Sequence, residues 1–378
     1  MNFSISDEQT MLADSISRCI DSDYDFDTRQ KIVASDDGYS RDMWKTFAEL
    51  GWTAVPFAET DGGLDGGPIE MMLIMEQFGR GLVVEPYLAN IILAGGVLKR
   101  LATPAQREQW LAPLIVGELQ AALAFAEPQS RFSPNNVQTT ATESGDAYIL
   151  NGKKTFVLNG GNADVLIIPA RTSGSSTETA GISLFCIAAD TPGISRQRYP
   201  TVDGSQAADI ALVDVNVSSD SLLGNANDGY PILQTVVDEA TLAVCAEAMG
   251  VMQTLQDKTV EYTKNRVQFG VPISSFQALQ HRMVDTLMIC EQSRSLLYWS
   301  VMLNNSSDPK AAKAISALKY QIGTAGIKLA EEAVQLHGGM GMTWEMDIGH
   351  YFKRMTAINI LFGNADHHLD RYISYGQS

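Results

Sequence analysis

The sequence has few of the residues that staple or metallate small proteins. Its 378 residues include four cysteines and five histidines. Cys19, Cys186, Cys245 and Cys290 lie far apart, each in an apolar run, and none has zinc-ligand spacing. That pattern predicts buried thiols in a reducing compartment and no metal site. Long apolar runs are also missing: none approaches the ~18–20 residues a spanning helix needs. The stretch "MNFSISDEQTML" has neither the basic nor the apolar region of a secretory signal. These absences predict a cytoplasmic protein without a membrane span. Positive charge is in deficit, with 27 Lys and Arg against 44 Asp and Glu, a net charge of −17. Phosphates repel such a surface, which argues against nucleic acid as a general partner. A local basic pocket is still allowed.

What is present changes texture twice. Residues 1–118 read as helical. Ser6 and Gln9 form a capping box, and Met11, Leu12, Ile16, Cys19 and Ile20 recur at helical spacing. Pro68 and Thr103-Pro104 start further helices, while "DGGLDGG" at 61–67 is too glycine-rich for one. Residues 119–225 are short β-branched or alternating runs, predicting a β domain. Asn151-Gly152 reads there as a two-residue hairpin, and Thr172–Ala180 as a polar loop. Residues 226–378 return to helix, with segments expected at Ile232–Lys264, Phe276–Leu303, Pro309–Leu336 and Ile348–Leu361. The order is an N-terminal all-α domain, a middle β domain (barrel or sandwich) and a C-terminal four-helix bundle.

Three segments carry potential chemistry. In "NRVQFGVPISSFQALQHR", Arg266 and Gln268 fall at a break between long helices, where an arginine can hold an anion. In "EAVQLHGGMGMT", a helix ends in Gly338, Gly339 and Gly341, which permit close approach of backbone to a phosphate. In "AFAEPQSRFSP", Glu127-Pro128 lies at a strand exit and could face a ligand. Each has a plainer reading, as an interhelical turn, a helix C-cap and an ordinary strand end.

Taken together, in order and spacing, they resemble the acyl-CoA dehydrogenase flavoproteins over nearly the full chain. The resemblance rests on "FSISDEQ", "ELGWTAVP" with "GGL", "LNGKKTFVLNGGNAD", R-x-Q-F-G-x-P-I-x-x-F-Q and Q-L-H-G-G-M-G-M-T. It implies FAD as cofactor, an acyl-CoA thioester as substrate and electron-transfer flavoprotein as the usual acceptor. It also implies a cofactor site shared between subunits. One subunit would donate Arg266, Gln268, Phe269, Gln277, Gln335, Gly338, Gly339 and Gly341. The other would supply the β-domain wall, where Glu127, Phe156 and Asn159 match. That wall departs from the family pattern: Phe156-Val157-Leu158 lacks the hydroxyl expected near the flavin, and "QSRFS" replaces Gly-Ser-Asp.

The catalytic base is also displaced. Ungapped, Phe362 takes the aromatic place of an aromatic-Glu-Gly-Thr run and Gly363 takes the glutamate's. Asp366, His367 and His368 then read as a capped helix start. Other family members place the base on the first long helix of the last domain, which nominates Glu239, with Glu247 two turns on. This pattern resembles the smaller subunit of hetero-oligomeric acyl-CoA dehydrogenases. Three functions follow: a hetero-oligomer subunit that donates half of an FAD site, a self-sufficient homo-oligomer using Glu239 or Glu247, or a non-catalytic structural subunit.

Overall fold

The computed structural model describes residues 5–375. Phe3 and Ser4 of the "FSISDEQ" stretch lie outside the described residues. The helices that precede the sheet are α1 (Asp7–Asp23), α2 (Phe26–Val33), α3 (Arg41–Glu49), α4 (Pro68–Gly81), α5 (Gly95–Leu101), α6 (Pro104–Gln106) and α7 (Ala112–Ile115). Strands follow: β1 (Ala121–Leu123), β2 (Thr140–Ser144), β3 (Ala147–Leu158), β4 (Val165–Arg171), β5 (Ile182–Ala188), β6 (Ile194–Pro200), β7 (Gln206–Ser218) and β8 (Leu222–Leu223). Then come α8 (Tyr230–Asn265), a β9–β10 hairpin (Val267–Gln268, Val271–Pro272), α9 (Gln277–Asn305), α10 (Ala311–Gln321), α11 (Ile327–His337), α12 (Ile348–Ile360) and α13 (Ala365–Ser374).

By packing, the chain forms two compact units. One holds residues up to Lys31, Gly67–Val83 and residues from Thr241 onward; the other holds Ile32–Gly66 and Val84–Ala240. The helical ends and central sheet expected from texture are therefore present, but spatial grouping does not follow the order of the chain.

In the sheet unit the strand order is β6-β7-β3-β2-β4-β5-β8, with β1 parallel to β4. β4 is buried along its whole length, which explains its uniformly apolar run "VLIIPA". Leu150, Leu166, Ile168, Phe185, Ile210 and Val215 pack in one apolar core. Asn151-Gly152 is not the hairpin turn. Ser144 pairs with Ala147, so the tight turn is Gly145-Asp146. Asn151-Gly152 instead sits at a bulge of β3 against β7, where the Asn151 side-chain amide donates to Asp214 Oδ1 and its Oδ1 accepts from the Asp214 backbone N–H. A Cβ at Gly152 would collide with Thr139, so glycine answers a close approach here. The polar loop after β4 is held by Arg171, whose guanidinium donates to the carbonyls of Asn135, Ser176, Glu178 and Ala180.

In the helical unit, α1 starts with the expected capping box: Gln9 N–H donates to Ser6 Oγ at 3.2 Å, and Ser6 N–H to Gln9 Oε1 at 2.8 Å. The helix expected over 309–336 is split into α10 and α11 by a π-turn, Ile322–Gly326. Gly79 of α4 and Gly250 of α8 let two backbones touch: a methyl on Gly79 would strike the Glu247 carbonyl, and one on Gly250 the Glu76 carbonyl. Among the described residues no helix is long and apolar enough to cross a membrane.

Candidate functional site

The helical unit brings two of the singled-out segments together. At the end of α8, Arg266 N–H donates to Tyr262 O at 2.8 Å, closing the last helical turn. The hairpin β9–β10 follows. Phe269 (φ 56°) and Gly270 (φ 80°) occupy its tip, the paired positive φ of a type I′ turn. A phenylalanine in this conformation is unusual, and its ring is 93% exposed. Arg266 and Gln268 are exposed, and Arg266 makes no ion pair among the described residues. Gln277 is the first residue of α9.

The glycine segment follows α11, whose Gln335 is exposed. Gly338 caps the helix with φ 61° and ψ −142°, a region nearly closed to other residues, and its N–H bonds Gln335 O. That N–H is thus spent inside the helix and does not point outward to a phosphate. The surroundings are open: nothing lies within 4 Å of a Cβ built on Gly338 or Gly339. Gly341 differs. It is buried, and a Cβ there would lie 2.9 Å from Val334 O, so its small size serves local packing. Tyr262 and His337 join the two segments, with rings stacked at 4.3 Å between centroids. The Tyr262 hydroxyl donates to His337 O at 3.3 Å. Neither residue was nominated by the sequence, which shows them 75 positions apart.

The sheet unit places its candidates less uniformly. Phe156 (φ 51°) is 42% exposed at a second bulge of β3, between Lys154 and Val157. Asp209 of β7 holds that bulge. Its Oδ1 accepts from Thr155 Oγ1 at 2.8 Å, Phe156 N at 3.1 Å and Tyr199 OH at 2.9 Å. Burial raises the Asp209 carboxyl, but these donors outweigh it and hold the group below the ordinary range. Beside the bulge lies a groove of about 310 Å³, with Pro128, Lys153, Thr155, Ser195, Gln197 and Asp209 on its walls.

Two of the sheet candidates have side chains turned inward. The Glu127 side chain is only 2% exposed and all its acceptor positions point inward. Oε1 accepts from Lys154 Nζ at 2.6 Å and Thr139 N at 3.1 Å; Oε2 accepts from Gln138 N and Gln129 Nε2, each at 2.7 Å. Burial raises its carboxyl, yet the Lys154 charge and these bonds bring it down to about 2. Asn159 is buried at the end of β3 (φ 57°), with its amide donating to Gln120 Oε1 at 3.0 Å. Both are framework residues of the strand exit, and the sequence could not distinguish an inward from an outward carboxylate there.

Both nominated bases are held by arginine. In the sheet unit, Glu239 Oε1 accepts from Arg100 Nη2 at 2.6 Å. In the helical unit, Glu247 is buried and accepts from Arg354 Nε at 2.6 Å and Nη2 at 2.7 Å, a two-pronged pair. At the C-terminus, the cap of α13 is Asn364, not Asp366: Asn364 Oδ1 accepts from His367 N at 3.0 Å. Gly363 (φ 118°) has no room for a side chain. A Cβ there would lie 2.5 Å from His367 Cδ2 and 2.7 Å from His368 Nε2. His368 is buried, bonds Phe362 O at 3.0 Å and is pushed down to about 3, first by burial and then by the Lys319 charge. Lys319, wholly buried, donates to Gly363 O at 2.6 Å and Asn359 O at 3.1 Å.

The chain matches the N-terminal, middle and C-terminal domains of acyl-CoA dehydrogenase over residues 6–118, 122–216 and 227–373. It is 30% identical over 332 residues to a caffeyl-CoA reductase–Etf complex subunit, CarC, of Acetobacterium woodii, covering 86% of this chain and 87% of that one. The solved butyryl-CoA dehydrogenase of Megasphaera elsdenii superposes with a TM-score of 0.92 at 26% identity, over all of both chains. The FAD complex of PigA superposes equally well, with TM-score 0.92 at 27% identity, over 100% of this chain and 99% of that one. Three domain matches in order, on a shared fold, make this chain a member of the acyl-CoA dehydrogenase family.

Proposed function

We propose that this chain is a subunit of an FAD-dependent acyl-CoA dehydrogenase and donates half of an FAD site to a second, acyl-CoA dehydrogenase-like subunit. The donor set suits that cofactor. Arg266 offers an uncommitted planar guanidinium to a diphosphate, and the open backbone at Gly338 and Gly339 allows close approach. Phe269 offers an exposed ring to an aromatic portion of the ligand. FAD, when bound, supplies the acceptor for the hydride removed from an acyl-CoA thioester. Arg266 and the glycine turn would hold and orient it.

One observation carries the half-site reading. Glu247, a nominated base, has both oxygens bound by Arg354, and Gly363 has no room for a replacement. Arg354 engages each oxygen of Glu247, and the side chain is only 3% exposed, so this carboxylate is fixed as the partner of an arginine and not presented to a substrate carbon. The proton-abstracting carboxylate is therefore assigned to the second subunit. The relative named for an Etf complex supports electron-transfer flavoprotein as the electron acceptor. A cytoplasmic location goes with this reading; the four cysteines are buried and form no disulfide among the described residues.

A self-sufficient homo-oligomer is the second reading, and one contact favours it. Glu239 meets Arg100 through Oε1 alone, and Oε2 has no hydrogen-bond partner among the described residues. The test is expression of the chain alone and with a co-expressed family partner, comparing flavin content and acyl-CoA dehydrogenation. Half-site donation predicts full flavin and activity only in the pair. Turnover by the lone chain that vanishes in Glu239→Gln selects the second reading. In the pair, Arg266→Ala should weaken FAD retention by roughly tenfold to a hundredfold, the loss of one charge-assisted hydrogen bond.

A further inference from the structure

Two exposed segments form one ligand surface only if something fixes them to each other. The hairpin at Arg266–Pro272 and the turn at Gly338–Met342 are both surface loops, and loops of this kind are mobile unless tied down. The structure ties them at a junction of one half-buried and one buried side chain. Tyr262 lies one helical turn before Arg266, which bonds back to it through the backbone. His337 is the last residue of α11, directly before Gly338. The two rings stack at 4.3 Å with an interplanar angle of 28°.

The hydrogen bonds make the junction directional. The Tyr262 hydroxyl donates to the His337 carbonyl at 3.3 Å, and the Gly338 N–H donates to Gln335 O. These groups are the two ends of one peptide unit, so the plane from which the chain leaves α11 is held on both sides. His337 is itself fixed. It is 3% exposed, and its Nδ1 lies 2.7 Å from the Ala333 carbonyl, which places the proton on Nδ1. Burial lowers the imidazole's affinity for a second proton, so the ring stays neutral against the tyrosine.

We infer that Tyr262 and His337 are positioning residues: their stack locks the arginine hairpin and the glycine turn into one diphosphate-binding surface, and the Tyr262 hydroxyl sets the direction in which the glycine turn departs. Neither side chain needs to touch the cofactor. The identity of the ligand rests on the FAD reading above; the mechanical coupling of the two loops does not.

The test measures both. Variants Tyr262→Leu, Tyr262→Phe, His337→Leu and His337→Phe are compared with Arg266→Ala in the flavin-retaining assembly, by FAD titration and by amide hydrogen exchange in the FAD-free protein. Loss of the stack should weaken FAD by up to about tenfold. It should also speed exchange in both loops, although only one was altered. His337→Phe keeps a ring in place and should recover binding relative to His337→Leu. Tyr262→Phe keeps the stack but frees the peptide, so exchange should rise at 339–342 and not in the hairpin. The inference is overturned if Tyr262→Leu leaves exchange at 339–342 and FAD affinity at wild-type values while Arg266→Ala weakens FAD. If instead Arg266→Ala has no effect on FAD and Tyr262→Leu still loosens 339–342, the cofactor assignment fails and the coupling stands.

Discussion

Glu127 and Lys154 form the most heavily buried ion pair described in this protein, with side chains 2% and 0% exposed, and removing either partner should be costly. Take Lys154→Met. It leaves a carboxylate that still accepts from two backbone amides and one side-chain amide but has lost its counter-charge. Breaking a buried pair from one side typically costs about 3–5 kcal/mol. The depression of the Glu127 carboxyl points to the same order of magnitude. Its folded value of about 2 against an ordinary 4.5 corresponds to about 3 kcal/mol of linkage. The sign follows from the depression. A folded carboxyl held below its unfolded value contributes stability that is present above pH 4.5 and lost as the pH falls through about 2. Lys154 works in the other direction, because burial lowers its ammonium's affinity for the proton. Urea unfolding of wild type, Lys154→Met, Glu127→Gln and the double variant closes a cycle, with exchange of the β2–β4 amides as the local probe. The single variants should each lose several kcal/mol, and the double variant should lose less than their sum. Additive losses below about 1 kcal/mol each would refute the claim that this pair organises the strand exit, because breaking a buried pair typically costs several times that.

Other outcomes follow from the C-terminal cluster and the glycine turn. Lys319 is pushed by burial from an ordinary 10.5 down to about 8, so the unfolded chain binds more protons between those values; stability over Lys319→Met should rise with pH from 8 to 10.5, by at most about 3 kcal/mol, in denaturation at several pH values. His368 is pushed down to about 3 and burial lowers His367 too, so changing both to Gln should leave the rate and its pH dependence between about pH 6 and 7 unchanged; a ~100-fold drop in rate with an altered pH dependence there would make these residues catalytic. Gly341→Val should destabilise the chain with or without FAD, since its Cβ meets Val334 O, whereas Gly338→Val should fold with backbone strain and lose flavin. Thermal unfolding with and without added FAD separates the two.

The chain itself determined its local vocabulary. Ser6-x-x-Gln9 capped a helix as expected because a capping box needs only neighbouring residues. The texture shifts near residues 119 and 226 marked the sheet, because strand and helix periods are written in side-chain spacing. Arg266 and the glycine run stood out because ordered motifs read as linear patterns, and the structure brings their segments together through Tyr262 and His337. Direction was not legible. Glu127 could have faced outward from its strand end and points inward to Lys154; Glu247 was a candidate base in sequence, and its partner Arg354, 107 positions away, could not be named from it. Asn151-Gly152 had the composition of a turn and became a bulge, because β7 pairs along β3 on both sides of it. Tyr262 carried no signal, and His337 was one letter of the glycine motif with no role attached to it. Each is an ordinary residue at a helix end, and only packing α8 against α11 turns two such ends into one junction. Short-range hydrogen bonding and hydrophobic period act through neighbours and can be read in order. Charge pairing, burial and loop registration act through contacts between distant segments, and these come into being only when the chain closes on itself.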